Sequence, residues 1–414
     1  MESVKIVVLG GSGVATPELA NALVEMPGRS KRIELVLVGR SADKLEKVAG
    51  VAQLMTGGDP LLRVSCTTDT PAALDGASFV LNQVRVGGYA ARAFDESYPH
   101  DLGLPGEETV GAGGFANASR TIPVVLEYAR MMERICPQAT MLTFANPSSL
   151  VHFAITHYTG VPTIGLCDGP VSLKENIAKA LGVPSDELIM EYVGMHHFGW
   201  VVGLWHHGKD LMPEAMTKAS QVAPDVEPAI TQAIGAIPGH YLNYVFHPDR
   251  MLARKVGKRT RAEELLDLQE DLLVEFESAL RAGHKPEGLA RRKARWYKAI
   301  IAPVMVALVE EQTRLFALNV INSKVIPWLP VDAIVEVSCL LEAGRVRPLA
   351  IPEVPPDIRA LVQANCAYEM LAVEAIVERD RCKALRALLL NPMIHTYDQA
   401  AQVLERAWAW KASQ

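Results

Sequence analysis

Lys5-Ile-Val-Val-Leu-Gly-Gly-Ser-Gly-Val-Ala-Thr-Pro-Glu-Leu19 decides the fold. A short β-branched run breaks at a glycine cluster, and an amphipathic stretch follows to about Met26. Thr16 fits a helix N-cap, Pro17 the first helical position, and Glu18 complements the helix dipole. Ile33-Glu-Leu-Val-Leu-Val38 then reads as a second buried strand. Strand, glycine turn, helix and strand make a βαβ unit, and hence a parallel sheet. Gly10, Gly11, Ser12 and Gly13 form a candidate cradle for a dinucleotide pyrophosphate, seated on a helix N-terminus. The third glycine of the usual fingerprint is Thr16 here, so a bare tight turn is the competing reading. Where the second strand would normally end in a ribose-binding carboxylate, the chain has Gly39-Arg40-Ser41. Arg40 suits a 2′-phosphate or stacking on adenine, which leaves NAD and NADP both open.

The alternation continues outward from this unit. Ala77–Leu81, Met141–Phe144 and Thr163–Leu166 read as strands and Ile122–Ile135 as a helix. Residues 1–165 are therefore expected to form a Rossmann-like, doubly wound α/β domain. Beyond it, Leu188–Gly194 and Val201–Trp205 read as strands around a histidine pair. Ser172–Leu181, Arg261–Ala282, Trp296–Phe316 and Pro355–Val377 read as helices. Residues 166–414 are expected to form an α+β substrate domain closing over the first.

Composition bounds the function. A 414-residue chain with 49% apolar and 21% charged residues has the make-up of a globular protein. Its net charge of −6 gives no reason to expect nucleic acid as a partner. Six scattered cysteines suggest reduced thiols. The N-terminal residues lack a signal pattern, and the Ala299–Val309 apolar run, broken by Pro303, is short for a membrane span. A cytoplasmic protein without a membrane partner is the expectation.

Three segments fall at or after strand ends, the edge where doubly wound sheets bind ligands. These are Gln83-Val-Arg-Val-Gly-Gly88, Gly106–Gly114 and Asn146-Pro147. Arg85 is placed to grip an anionic or hydroxylated substrate, although internal pairing would also account for it. After Thr163–Leu166 come Cys167 and Asp168, and further on His196-His197. A thiolate and an imidazole can share one metal ion, and the adjacent carboxyl can move a proton beside it. A packed structural thiol is the plainer alternative.

Taken in order, Arg85-Val-Gly-Gly88, Glu107–Phe115, Arg120-Thr-Ile-Pro123, Phe144-Ala-Asn-Pro147, Gly165-Leu-Cys-Asp168, His196–Trp200, Ile237–Tyr244 and Val331–Val337 resemble glycoside hydrolase family 4. These are NAD- and Mn²⁺-dependent glycosidases, which depart from two-carboxylate hydrolysis. The resemblance runs almost end to end. It implies a lactate/malate dehydrogenase-like superfold and redox-assisted elimination. Bound NAD takes hydride from C3 of the sugar, a tyrosine removes the acidified C2 proton, and Mn²⁺ stabilises the enediolate. The aglycone leaves C1, water adds, and C3 is reduced again.

Carried over residue by residue, the resemblance makes Cys167 and His197 metal ligands and Tyr241 the base. Asp168 becomes the group protonating the leaving oxygen, and Asn146 and Glu108 sugar contacts. The family usually has Asn where this chain has His196, which leaves either imidazole open as the ligand, with His197 the better match. Asp at position 168 matches α-acting members, although Gly169 departs from their pattern. Arg85 and Arg292 would hold a 6-phosphate, but Lys293 and Ala294 replace two expected glycines, so Arg291–Tyr297 also reads as a solvated basic face. The implied substrate is a small glycoside or phosphoglycoside, and the implied assembly a homodimer or homotetramer. A dehydrogenase without glycosidase activity is the alternative, but it gives Cys167, His197 and Tyr241 no shared role.

Overall fold

The computed structural model describes residues 3–410. Thirteen strands form one sheet: β1 Ser3–Leu9, β2 Arg32–Val38, β3 Leu62–Thr67, β4 Phe79–Asn82, β5 Thr140–Thr143, β6 Thr163–Gly165, β7 Ile189–Met195, β8 Phe198–His206, β9 Lys209–Asp210, β10 Ile237–Pro238, β11 Arg314–Ile321, β12 Ile334–Glu342 and β13 Arg345–Pro348. The first six are parallel, in the order β3-β2-β1-β4-β5-β6. This is the doubly wound dinucleotide order, and its direction reverses between β1 and β4. The loops after β1 and β4 therefore flank the switch point, and they carry Gly10–Gly13 and Gln83–Arg85.

The sheet continues past residue 165 without a break. β11 lies antiparallel to β6, and β12, β7, β8 and β10 extend the edge in turn. One buried apolar cluster joins Ile6, Leu35 and Leu37 to Leu318 and Val335, so both halves share core. Helices Pro356–Glu378 and Tyr397–Ala409 return to cover helices Gly111–Ile135 and Ser148–Tyr158. Helix Pro356–Glu378 is long and apolar enough to cross a membrane by length and composition. Half of that stretch is buried, and its Asn365 and Glu369 are hydrogen-bonded to each other inside the protein.

Several elements differ from the sequence reading. The predicted helix Trp296–Phe316 is a π-turn at Tyr297–Ile301 and a helix at Ala302–Val309, after which Arg314 opens β11. The break falls at Glu311, whose φ is +57°, and Phe316 then pairs with Cys339. The helix expected at Ile122–Ile135 begins instead at Gly111 and absorbs the presumed loop glycines. A Cβ at Gly113 would lie 2.1 Å from the Glu107 carbonyl oxygen, so glycine lets this helix seat directly on that backbone. Thr16 stands before Pro17 as expected but does not cap through its side chain; its hydroxyl accepts a hydrogen bond from Gln83 at 3.1 Å. Arg261–Ala282 is helical as predicted, with a Thr260/Glu263 capping box at its start.

Candidate active site

The glycine loop is braced from both halves. Tyr297 donates to the Gln83 side chain at 2.8 Å, and Gln83 in turn donates to Thr16. Gly10 has φ +80°, and a Cβ there would meet the Gln83 carbonyl oxygen at 2.9 Å. A Cβ on Gly11 would press into Leu37 at 2.8 Å, whereas one on Gly13 would meet nothing closer than Thr16 Oγ1 at 3.4 Å. Two glycines thus serve the loop's own packing, and the third is packed less closely. Ser12 lies against Gly39, and the exposed Arg40 stands at the end of β2 beside it. The backbone can hold a pyrophosphate here.

A second constellation forms where β6 and β7 end and β8 begins. Met195 pairs with Phe198, so His196 and His197 are the two-residue turn between β7 and β8. His197 has φ +59°. The two rings stack with centroids 3.7 Å apart instead of pointing to opposite faces. One ligand atom each of Cys167, His196 and His197 lies within 4.8 Å of the others. Thr109 Oγ1 sits 3.0 Å from His197 Nδ1, a contact that fixes the ring's orientation. On its other face His197 stacks on Tyr241 at 3.7 Å and 9°. Asp168 occupies the N-cap of helix Gly169–Leu181, and the Gly169 N–H donates to Cys167 Sγ at 3.3 Å.

The donor chemistry fits a divalent cation. Burial, then Glu336 and Asp168, push the Cys167 thiol well above its ordinary range. Burial, then Glu107, Cys167, Glu108 and Asp168, do the same to the Tyr241 phenol. Burial also raises Asp168. Burial, then the neighbouring imidazoles, press His197 well below its ordinary value and favour its neutral form, the form that can bind a metal. Acids raised together around neutral imidazoles form a pocket short of positive charge, which a metal ion corrects. Glu336, fully buried on β12 and receiving a 2.8 Å hydrogen bond from Asn319, is pushed to about 8, chiefly by burial.

A third group is cationic. Glu108 is buried and paired with Arg85, and with Arg92 at 2.9 Å; Arg92 also holds Glu96 at 2.7 Å. Burial alone would raise Glu108, but Arg85 and Arg92 outweigh it and hold it below the usual carboxylate range. Arg292 lies over Trp296 at 4.8 Å, close enough to Tyr89, Arg85 and Arg92 to feel their charge, and its Nε is buried without a partner. Glu107 receives hydrogen bonds from Tyr244 and Lys255, both at 3.0 Å. Asn146 sits at the same edge, joined to Pro147 by a cis peptide bond. Pro147 and His196 both line a small enclosed cavity of about 20 Å³ with Asn365, Tyr368 and Glu369.

A family model described as "Family 4 glycosyl hydrolase" matches residues 5–183, and another described as its C-terminal domain matches residues 192–394. The chain belongs to glycosyl hydrolase family 4. It is 31% identical over 98% of its length to a probable 6-phospho-beta-glucosidase of Bacillus subtilis (strain 168), covering 95% of that protein. It is 28% identical, with the same coverage, to the maltose-6′-phosphate glucosidase of that organism. The solved 6-phospho-beta glucosidase of Thermotoga maritima, with manganese, NAD⁺ and glucose-6-phosphate, superposes with a TM-score of 0.88 at 26% identity, covering 98% of this chain and 97% of that one. An Eimeria maxima lactate dehydrogenase shares the fold at a TM-score of 0.53 and 13% identity, covering 96% and 98%. The expected family and superfold are thus both found.

Sequence reasoning did not single out Arg92, Glu107 or Thr109. All three lie in or beside quoted motifs: Thr109 follows Glu108 directly, and Arg92 sits four residues before Glu96. Glu107 and Thr109 meet partners from other elements, as Arg92 does in Glu108, so spacing alone does not expose them.

Proposed function

We propose that this family 4 enzyme cleaves a 6-phosphoglucoside, with NAD at Gly10–Gly13 and Arg40 and with Mn²⁺ at Cys167 and His197. The observation that carries the reading is Tyr241 stacked on His197 beside the Cys167 cluster, which sets a phenol and the Asp168 carboxyl next to one metal-ligating set. When bound, the two cofactors supply reversible hydride transfer at the sugar C3 and polarisation of the oxygen there.

In this reading Tyr241 removes the C2 proton and Asp168 hands a proton to the oxygen leaving C1. Burial keeps Asp168 protonated to a higher pH than a free carboxyl, which suits a donor. Asn146 and Glu108 hold sugar hydroxyls. Arg85 and Arg292, joined by Arg92, face the 6-phosphate with fork-shaped donors suited to it. The unpartnered Arg292 Nε supports this assignment, as do the phosphorylated substrates in the names of both relatives and the glucose-6-phosphate in the Thermotoga maritima structure. Residues 1–165 then carry the nucleotide, and residues 166–414 bring the metal ligands and the base. The enzyme would work as a cytoplasmic homodimer or homotetramer. All six cysteines are free, as a reducing compartment requires.

The test is a panel of α- and β-nitrophenyl glucosides, with and without 6-phosphate, assayed with Mn²⁺, NAD⁺ and a thiol reductant. Cleavage of a phosphorylated member, with solvent deuterium entering C2 and no net change in NAD⁺, is expected. Turnover without C2 exchange would refute the elimination route, and cleavage of only unphosphorylated members would refute the phosphate assignment.

A further inference from the structure

The far end of β8 carries a second histidine pair. Trp205 pairs with Asp210 and His206 with Lys209, so His207-Gly208 is the two-residue turn into β9. Both turn residues have positive φ, +48° and +78°. Asn-Gly is the usual choice for such a turn, and a side chain with left-handed backbone costs about 1 kcal/mol. This backbone has a consequence for the rings. Neighbouring strand residues point to opposite faces, but the turn brings His207 round to the side of His206, with ring centroids 4.2 Å apart.

Glu187 completes the cluster. It precedes β7, and the Ile189–Trp205 pairing sets it opposite the turn. Its Oε2 lies 3.0 Å from His206 Nε2 and 3.0 Å from His207 Nε2. Ligand atoms bound to one ion at about 2.1 Å lie about 3.0–3.4 Å apart, so the carboxylate and each imidazole already have the spacing of a coordination polyhedron. The three ligand atoms all fall within 4.8 Å of one another. No lysine or arginine among the described residues pairs with Glu187, and the nearby Lys209 is engaged with Glu214. His207 is 74% exposed, which leaves an entry path and room for water to fill remaining positions.

We propose that Glu187, His206 and His207 form a binding site for a borderline divalent cation, of the zinc or nickel class, that ties the β8–β9 turn to the segment before β7. Two imidazoles and a carboxylate favour Zn²⁺, Ni²⁺ or Cu²⁺ over Mn²⁺. Eight residues of β8, Phe198 to Trp205, separate the site from His197, roughly 30 Å along the strand, so it is independent of the Cys167 cluster.

Equilibrium dialysis of chelator-stripped protein against Zn²⁺ at neutral pH tests this. Cys167→Ser protein should still bind one Zn²⁺, and His207→Ala should remove one equivalent from either background. Glu187→Gln should weaken the same equivalent roughly tenfold or more. Cleavage activity should not change in His207→Ala or Glu187→Gln. The proposal is overturned if Cys167→Ser protein binds no Zn²⁺, or if His207→Ala binds as much as the parent. Failure of the Cys167 reading has a different signature: parent and Cys167→Ser would bind alike, with only the histidine-turn equivalent present.

Discussion

Gly11→Ala and Gly13→Ala separate two uses of the same loop. At Gly11 a Cβ would stand 2.8 Å from Leu37 Cβ and 2.9 Å from Leu37 Cα and Val38 N. Relaxed carbon contacts lie at about 3.5–4.0 Å, so loop and β2 must part by roughly an ångström. Overpacking of that kind costs about 1–3 kcal/mol. At Gly13 the nearest atoms are Thr16 Oγ1 at 3.4 Å and the Gly10 carbonyl oxygen at 3.7 Å, and the backbone is not left-handed. Alanine there should be neutral or should stabilise by up to about 1 kcal/mol, because it restricts the unfolded chain.

The order reverses for the nucleotide. The methyl group of Gly13→Ala is added to the loop on which the pyrophosphate is proposed to lie. A clash worth about 1–3 kcal/mol raises Kd for NAD⁺ by roughly 5- to 150-fold. Thermal unfolding without nucleotide, paired with calorimetric titration of NAD⁺, reads both effects. Gly11→Ala should lower Tm by a few degrees, while Gly13→Ala should hold its Tm and lose affinity. Wild-type NAD⁺ affinity in a folded Gly13→Ala protein would refute the cradle and leave a bare turn. An unchanged Tm in Gly11→Ala would refute the packing argument.

Three further outcomes follow from the site. Cys167→Ser should abolish Mn²⁺ binding in equilibrium dialysis together with cleavage, and retention of both would make the thiol structural. Tyr241→Phe should still bind NAD⁺ and Mn²⁺ but stop solvent deuterium from entering C2; persistent exchange would assign the base elsewhere. Glu369, fully enclosed and pushed to about 8 chiefly by burial, is neutral in the fold over a range where the unfolded chain ionises. Its contribution to stability is complete below about pH 4.5 and is lost as pH rises through 8. Glu369→Gln should therefore raise Tm more at pH 8.5 than at pH 5, and an equal shift at both would contradict the burial.

What was legible in the sequence was local. The β1–loop–helix unit and Arg261–Ala282 are written in periodicity, a proline and a capping box within a few residues of each other. Phe316 does not belong to the helix expected there: the apolar run ends at Val309, the polar Glu310–Arg314 stretch intervenes, and the strand partner Cys339 is remote in sequence. Thr109, which reaches Nδ1 of His197 from another segment, sets His197 apart from His196 in a way that spacing does not show. Arg92 resembles an ordinary helix-surface partner of Glu96 four residues on, and only the fold brings Glu108 to its other side.

The same distinction bears on how the site works. Tyr241 is recognisable by its motif, yet what raises its phenol comes from elsewhere in the chain: burial first, then Glu107, Cys167, Glu108 and Asp168, which belong to two remote segments. Lys255 answers Glu107, and Arg85 with Arg92 answers Glu108. Arg295, the cation that acts on Asp168, is itself paired with Glu175. The acids without a cation of their own are thus Cys167, which clusters with His197, and its neighbour Asp168. A cation bound there lowers the phenol and the thiol together, whereas an extra positive charge on the arginine side meets acids already neutralised. If Tyr241 is the proposed base, its ionisation should accordingly follow occupancy of the Cys167 cluster and respond little to Arg292.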